Sequence, residues 1–206
     1  MSTISIIGSG GMAAAIAGRT ANAGYTVEVV GRDPVKARAL ADQLAAGATT
    51  GTYRAAPAGD IVILAVPYTS AAAVVADYGE ALGGKVIIDI TNPIASDLSG
   101  FVSPAGSSGA QEIAKRAPAG AHVVKAFNTI FGHVLAKGGR LDAFIAADDA
   151  EAKARVSTFL ESLGLRPLDV GDLHMALTLE ALGLMMIGLA QNGVGIWDFA
   201  MNVDIG

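Results

Sequence analysis

The chain contains no cysteine among its 206 residues, which excludes disulfides, thiolate nucleophiles and cysteine-based metal sites. Charged residues are also scarce, at 16%, and the net charge of −5 comes without any run of Lys or Arg. We therefore expect no nucleic-acid partner, because phosphate binding needs clustered basic side chains. Histidine occurs only three times, and no spacing of His, Asp and Glu indicates a metal site.

Long hydrophobic runs are limited as well. The longest apolar run, residues 181–190, is shorter than the roughly 20 residues that a membrane-spanning helix needs. The N-terminus lacks the basic region of a signal peptide. These features predict a cytoplasmic protein without membrane contact. Apolar residues nevertheless make up 52% of the chain, enough to bury a large core in one domain with a modest appendage.

Short β-branched runs alternate with alanine-rich helical stretches along most of the chain. We expect helices at residues 12–23, 33–46 and 149–163, and strands at 5–7, 26–30, 60–66, 86–90, 122–127, 143–147 and 167–170. This order predicts an α/β fold with a doubly wound, mostly parallel Rossmann sheet and a C-terminal helical extension. Residues 1–172 would form the nucleotide-binding domain, and residues 173–206 the helical segment.

Two segments fall outside that alternation. Residues 95–109, with five serines and three glycines, predict an exposed loop. From Leu173 a long helix rich in Leu, Met and Gly reaches about Gln191, and residues 192–195 break it. Such a helix cannot all pack inside a finished sheet, and exposed apolar surface usually marks an interface. We therefore expect a homodimer in which this C-terminal segment forms part of the contact. We expect the same segment to form part of the substrate pocket.

A glycine-rich loop stands between the first strand and the first helix. It matches the pattern G-x-G-x-x-G/A with the residues Gly8, Ser9, Gly10, Gly11, Met12 and Ala13. In a dinucleotide-binding unit the first glycine permits the turn, the second lets the backbone approach a pyrophosphate, and the last small residue packs helix on strand. The helix N-terminus then offers free N–H groups to the anion. The alternative is a glycine turn that binds no nucleotide.

The end of the second strand distinguishes NADP from NAD. An NAD-binding unit has an acidic residue there for the ribose hydroxyls, whereas this chain has Gly31 followed by Arg32. Arg32 can pair with a 2′-phosphate, and Lys36 can add a second positive charge. Asp33 is better placed as the N-cap of the next helix, ahead of Pro34. The sequence therefore predicts NADP as the cofactor, although Arg32 can also be an ordinary solvated residue.

With these residues in view, the chain resembles the F420-dependent NADP oxidoreductases, which transfer a hydride between NADP(H) and the deazaflavin coenzyme F420. It is also similar to the reductase domain of the STEAP metalloreductases. The resemblance covers nearly the whole chain and rests on residues 6–12, 30–32, 64–68, 89–93 and 124–129. Two features depart from it: Gly31 stands where the family usually has Ser or Thr, and the serine-rich segment is not a family signature.

The resemblance implies roles for three further groups of residues. The nicotinamide half of NADP would lie along Ala65, Val66, Pro67 and Tyr68, with Asn92 and Pro93 closing over its end. The pocket for the second ring, of F420 or a flavin, would include Phe127, Asn128 and Thr129. His133 and Met185 complete the candidate substrate-binding set, with a structural role for His133 and a core position for Met185 as the alternatives. All these loops follow the carboxyl ends of strands, where open α/β sheets bind ligands.

Few other side chains suggest chemistry. Hydride transfer between two stacked rings needs orientation rather than an acid or base, and we assign no catalytic residue. Lys125 is expected to be a strand-end lysine that reaches solvent, with proton donation to a carbonyl or imine as the alternative. Asp89, within an apolar strand, would be structural and need hydrogen-bond partners such as loop N–H groups or Thr91. Met186 and Trp197 would suit a pocket or simply the core.

Three functions remain open at this point. The first is an NADP-dependent oxidoreductase acting on a deazaflavin or a related flavin-like acceptor. The second is an NADPH-dependent reductase of a small carbonyl or imine substrate. The third is an NADPH-binding sensor without turnover. The absence of an acid–base constellation fits both the deazaflavin enzyme and the sensor.

Overall fold

The structure, a computed structural model, describes residues 2–44 and 47–204. Its main sheet contains the strands β1 (Thr3–Ile7), β2 (Thr26–Val30), β3 (Thr49–Thr50), β4 (Ile61–Leu64), β5 (Val86–Asp89) and β6 (His122–Lys125). All neighbours are parallel, in the order β3-β2-β1-β4-β5-β6. The strand order therefore reverses beside β1, and a crevice opens between the ends of β1 and β4.

Helices connect these strands. They are α1 (Gly11–Asn22), α2 (Pro34–Gln43), α3 (Tyr68–Tyr78), α4 (Gly109–Ala114), α5 (Gly132–Lys137), α6 (Ala150–Ser162) and α7 (Ala176–Gly188). Short 3₁₀ turns lie at Gly79–Leu82 and Leu173–Met175, and a π-helical turn at Leu189–Gly193 continues α7. The helices cover both faces of the sheet.

Two hydrophobic cores follow from the two-residue period of the strands. In β4, Ile61 and Ile63 face a core formed with α1, α2, α5 and α6. Val62 and Leu64 face the opposite core, formed with α3, α4 and the start of α7. Because both faces are covered, the strands carry continuous apolar runs rather than alternating ones. The predicted doubly wound sheet is confirmed.

The last two strands form a separate pair. β7 (Asp142–Ile145) and β8 (Arg166–Asp169) are parallel to each other, as a βαβ unit around α6. An antiparallel bridge between Lys125 and Ala146 attaches this pair to the edge of the main sheet. The predicted strand pair is confirmed, and β3 is a short addition that its two-residue length hides in the sequence.

Several predicted helix ends agree with the structure. Gly24 follows the C-cap of α1 with a φ of 86°, a backbone conformation that favours glycine. Asp33 caps α2, accepting hydrogen bonds from the N–H groups of Val35 and Lys36. The predicted end of that helix near Ala46 lies outside the described residues.

The serine-rich segment is more ordered than an exposed loop. Ser108 is buried and caps α4 with a reciprocal capping box to Gln111. Ile94 and Phe101 form an antiparallel bridge that closes the intervening turn. The prediction of an exposed loop is therefore wrong at its C-terminal end, because the capping signal there was not recognised.

One helical stretch in the described chain, Leu173–Gly193, is long and apolar enough to cross a membrane by length and composition, with 39% of its most apolar window buried. Its middle carries the buried side chain of Glu180, which contacts Lys125 of the sheet. This contact favours packing against the protein. Beyond it, the tail lies along α5 and β7, where the backbone N–H of Val203 donates to Asp142.

Candidate active site

The first turn brings the ends of two strands into direct contact. Gly8 has a φ of 133°, and a Cβ added to it would lie 2.0 Å from the carbonyl oxygen of Ala65. The N–H of Gly8 donates to Val30, and the N–H of Ala65 donates to Ile7. Only glycine fits this position, because the turn and the close approach both exclude a side chain.

The N-terminus of α1 is open to a ligand. Gly10 is its N-cap and supplies no side-chain capping bond, so the first N–H groups of the helix lack that partner. The φ of Gly10 is an ordinary −84°, and a Cβ there would meet no protein atom within 4 Å. The protein's own packing thus gives no reason for a glycine, whereas a phosphate against the backbone does.

A groove of about 430 Å³ runs over this turn and brings together most of the predicted cofactor residues. From the predicted set, it is lined by Gly8, Ser9, Gly10, Gly31, Arg32, Lys36, Ala65, Val66 and Pro67. Tyr53, which sequence analysis did not select, also lines it. Its hydroxyl donates to Asp77, and so does the guanidinium of Arg54. Gly11, Ala13, Tyr68 and Pro93 lie outside this lining.

Arg32 and Lys36 form the basic end of the groove. Both side chains are exposed, and one carboxylate oxygen of Asp33, Oδ1, accepts from two N–H groups of its own helix. Lys36 lies 3.9 Å from that carboxylate, a weak surface contact. Directly after β2 the chain has Gly31 rather than an acidic residue, and Asp33, two residues later, also lines the groove. This arrangement suits a ribose 2′-phosphate.

A second cavity, of about 230 Å³, lies on the other side of the first turn of α1. It contains five predicted residues, Met12, Asn92, Phe127, Asn128 and Thr129. Apolar side chains and two glycines complete it: Ile90, Ile130, Phe131, Gly132, Gly183, Met186 and Ile187. The last three come from α7, so the C-terminal helix forms one wall.

Two predicted substrate residues lie outside this cavity. Met185 is 48% exposed, and its neighbour Met186 lines the wall instead, because one helical step turns the side chain by about 100°. His133 stacks on Phe131 and donates through Nε2 to the carbonyl of Trp197. It therefore holds the C-terminal tail behind the cavity wall.

An amide pair spans the loops after β5 and β6. The side-chain N–H groups of Asn128 donate to Asn92 Oδ1 at 2.9 Å and to the carbonyl of Leu179 at 2.8 Å. Asn92 Nδ2 donates to the backbone carbonyl of Asn128 at 2.9 Å. Gly183 permits this packing, since a Cβ on it would lie 2.8 Å from Asn92 Oδ1. Helix α7 is thereby fixed to both loops.

The expected role of Lys125 is wrong. Its side chain is fully buried, and its ammonium donates to Asp89 Oδ2 and Glu180 Oε1, both at 2.8 Å, and to the carbonyl of Thr91. Glu180 Oε2 also accepts from the N–H of Gly109. Glu180 was missed, because a single acid on a strongly apolar helix has no periodic signal. The expected partner of Asp89 is present: the N–H of Thr91 donates to it.

Two pKa shifts result from this burial. Removal from water raises the pKa of the Glu180 carboxyl, although the adjacent Lys125 opposes the change. Burial also raises the pKa of the Tyr68 hydroxyl, and carboxylates including Glu112 and Glu180 add to the shift. Tyr68 therefore remains protonated, with its ring close to Gly109 of α4.

A further cavity, of about 470 Å³, lies at the amino ends of the strands and includes Thr3, Tyr25 and Asp60. Open α/β sheets bind ligands at the opposite, carboxyl end, beside the switch in strand order. The groove and the smaller cavity both lie there. We therefore place the site at the carboxyl ends, despite the larger volume elsewhere.

The chain is similar to known proteins in sequence and in fold. Residues 3–93 match the family described as NADP oxidoreductase coenzyme F420-dependent. The chain is 31% identical over 201 residues to an F420-dependent NADP reductase of Methanothermobacter marburgensis, covering 88% of this chain and 89% of that protein.

Two other similarities extend the comparison. A crystal structure of a putative F420-dependent NADP reductase from an Arthrobacter species has a TM-score of 0.82 at 26% identity, over 98% of this chain and 99% of that one. The chain is also 31% identical over 190 residues to the metalloreductase STEAP3 of Rattus norvegicus. That match covers 89% of this chain but spans only 37% of the metalloreductase.

Proposed function

Because the chain belongs to the family of F420-dependent NADP oxidoreductases and is an NADP-dependent oxidoreductase, we propose that it transfers a hydride between NADP(H) and a deazaflavin of the coenzyme F420 type, or a related flavin-like ring. We further propose that the groove holds NADP(H) and that the smaller cavity holds the reacting end of the two rings.

The observation that carries this proposal is the adjacency of the two spaces. Gly10 lines the groove, and Met12, two residues later, lines the cavity. A dinucleotide whose phosphates rest on the N-terminus of α1 can therefore direct its other end toward the cavity. Efficient hydride transfer needs such fixed proximity of two rings, with water excluded.

The chain's own residues would bind and orient the cofactor. The N–H groups at the start of α1 would hold the pyrophosphate, and Arg32 and Lys36 would pair with the 2′-phosphate. Ala65, Val66 and Pro67 would support the nicotinamide half. NADP(H), when bound, supplies the hydride-carrying ring, and the protein supplies geometry.

The arrangement of Lys125 disfavours the carbonyl or imine reductase. Its ammonium is surrounded by two carboxylates and a carbonyl and is closed to solvent. A proton donor must reach its substrate within hydrogen-bond distance. Lys125 instead holds elements of the protein together, so the remaining arrangement suits ring-to-ring transfer.

Two further properties belong to the same proposal. The enzyme would act in the cytoplasm on a small-molecule redox substrate, with no membrane or nucleic-acid partner. It would form a homodimer through residues 173–206, with residues 1–172 as the NADP-binding domain. The support is the exposed apolar surface at the end of the chain, which includes Leu189, Val194, Ile196 and Trp197.

The test is to mix the protein with NADPH and, in separate reactions, oxidised coenzyme F420, FMN or FAD, while following the absorbance of NADPH and of the acceptor. The reverse reaction uses NADP and the reduced deazaflavin. We expect NADPH-dependent reduction that is fastest with the deazaflavin. Tight NADPH binding without reduction of any acceptor would contradict the proposal and support the sensor.

A further inference from the structure

Two residues that line the smaller cavity each carry a buried polar atom without a partner within the described protein. The Asn128 side-chain carbonyl and the Thr129 hydroxyl are buried, without a hydrogen bond, and both residues line the cavity. Asn128 is 7% exposed and Thr129 is 3% exposed. A buried polar group without a partner is costly, and two such groups in one cavity indicate a polar ligand.

The orientation of Asn128 is fixed by its surroundings. Its two N–H bonds point to two carbonyl oxygens, those of the Asn92 side chain and of Leu179. Rotating the amide by half a turn would set its oxygen against both of them, which is unfavourable. The free atom is therefore an acceptor. The Thr129 hydroxyl, next in the chain, can donate.

An acceptor and a donor on consecutive residues are together complementary to an amide, which carries one N–H donor and one carbonyl acceptor. We propose that Asn128 and Thr129 recognise a ring amide in this cavity, with the Asn128 side-chain carbonyl accepting its N–H and the Thr129 hydroxyl donating to its carbonyl oxygen. This inference rests on the proposed function. Two groups there have this chemistry: the carboxamide of a nicotinamide and the ring imide of a flavin or deazaflavin.

The position of the acceptor is held from behind. Lys125 is three residues before Asn128 and donates to the carbonyl of Thr91, the residue before Asn92. Its bond to Glu180 fixes the helix turn that carries Leu179. The amide pair thus has restrained partners on the loops of both strands and on α7, which keeps the free oxygen in one place.

The test uses the Thr129→Val variant, which removes the hydroxyl at nearly constant volume. Since that hydroxyl has no partner in the protein, we expect thermal stability to stay the same or rise. Thr158→Val, on the exposed side of α6 at the other end of the sheet, is the matched control and should change no binding constant. The NADPH Kd is measured by fluorescence titration, and the KM by steady-state rates with FMN and coenzyme F420.

The two sources of the amide give different results. If it belongs to nicotinamide, Thr129→Val raises the Kd for NADPH about fivefold and leaves the acceptor KM unchanged, as expected for one hydrogen bond. If it belongs to the acceptor ring, the KM rises about fivefold and the NADPH Kd is unchanged. Either result supports the proposal, and a variant that matches wild type in both constants overturns it.

Ligand analogues test the Asn128 acceptor without altering the protein. An NADP analogue with an acetyl group in place of the carboxamide lacks the N–H, and so does FMN methylated at its imide nitrogen. We expect wild-type protein to bind one of the two about tenfold more weakly than the parent compound. Equal affinity for both analogues and their parents overturns the proposal. If the wild-type protein binds no NADPH at all, that result contradicts the proposed function as well as this inference.

Discussion

The ammonium of Lys125 and the carboxylate of Glu180 lie 2.8 Å apart and join strand β6 to helix α7 across 55 residues of sequence. Both side chains are fully buried, and a second carboxylate, Asp89, shares the same ammonium at 2.8 Å. The cluster thus contains two acids and one base inside the protein. Its members depend on one another, since any of them left alone would be an uncompensated buried charge.

The first prediction concerns Lys125. The Lys125→Met variant should lower the free energy of unfolding by about 3–5 kcal/mol, because it leaves two buried carboxylates without their cation. Urea denaturation near neutral pH measures this. Lys115→Met, which removes an exposed lysine paired with Glu112, should cost less than about 1 kcal/mol. A loss for Lys125→Met no larger than that of the control would contradict this account.

The second prediction uses the raised pKa of Glu180. The folded protein keeps a proton on this carboxyl at pH values where the unfolded chain, with the ordinary pKa of 4.5, has released it. The contribution of Glu180 to the free energy of unfolding therefore falls as pH rises from below 4.5 through the raised pKa. Glu180→Gln removes this dependence.

The measurement is urea denaturation of wild type and Glu180→Gln at several pH values. The stability of the variant relative to wild type should increase with pH across that window and then level off. The loss of one hydrogen-bond acceptor changes the free energy of unfolding of the variant by an amount that does not depend on pH. The slope of the stability difference against pH therefore reports the titration of Glu180. Parallel stability curves would show that Glu180 titrates normally.

The third prediction separates two glycines of one loop. Gly8→Ala should lower the free energy of unfolding by about 3 kcal/mol or more, because of the positive φ and the contact with Ala65. Gly10→Ala should change stability by no more than about 1 kcal/mol, since its Cβ meets nothing in the protein. It should still raise the Kd for NADPH about tenfold or more, by obstructing phosphate contacts with the backbone. Unaltered NADPH binding in Gly10→Ala would contradict a phosphate at this turn.

The fourth prediction concerns cofactor choice. Arg32→Ala should raise the Kd for NADPH about 10- to 100-fold, because it removes charge-assisted hydrogen bonds to the 2′-phosphate. The Kd for NADH should change far less, because NADH lacks that phosphate. Isothermal titration with both nucleotides measures the difference. Arg38→Ala, which removes an exposed arginine of α2 that lies 4.0 Å from Asp42, is the control. Equal losses for NADPH and NADH would remove the assignment to NADP.

The fifth prediction concerns assembly. Analytical ultracentrifugation at micromolar concentration should give twice the chain mass of 20.7 kDa. Ile196→Asp, at a side chain that is 53% exposed, should yield a folded monomer, because a charge in an apolar interface is costly to bury. A wild-type monomer at that concentration would contradict the proposed homodimer.

Much of the fold and of the groove over the first turn follows from local sequence. Three of its signals are local, since each depends on only a few consecutive residues: the continuous apolar runs, the glycine turn and the helix start at Asp33-Pro34. The structure has strands, a turn and a helix at these places, as expected. The position of Gly31 and Arg32 beside that turn could be predicted because the end of β2 is adjacent to the end of β1 in a Rossmann sheet. Such features need no knowledge of distant contacts.

The rest depends on distant pairing that one sequence does not reveal. The sequence predicts Lys125 to be a solvated strand-end residue, because its partners Asp89 and Glu180 are 36 and 55 residues away. Met185 and Met186 are adjacent residues of the same type, so the sequence does not distinguish them. The orientation of α7 about its own axis determines that Met186 lines the cavity. Tyr53 follows a two-residue strand that has no detectable pattern.

In the described part of the chain, the contacts that fix helix α7 to the strand loops lie in its first two turns and its middle, from Leu179 to Gly183. Glu180 and Gly183, one helical turn apart, make the contacts that fix it, and the cavity residues Met186 and Ile187 follow immediately. The described chain after Gly188 contacts α5, β7 and β8 rather than the residues that line the larger groove, so we expect its exchange between homologous proteins to leave the affinity for NADPH unchanged. Such chimaeras offer a direct way to alter the range of acceptors while cofactor selectivity is retained.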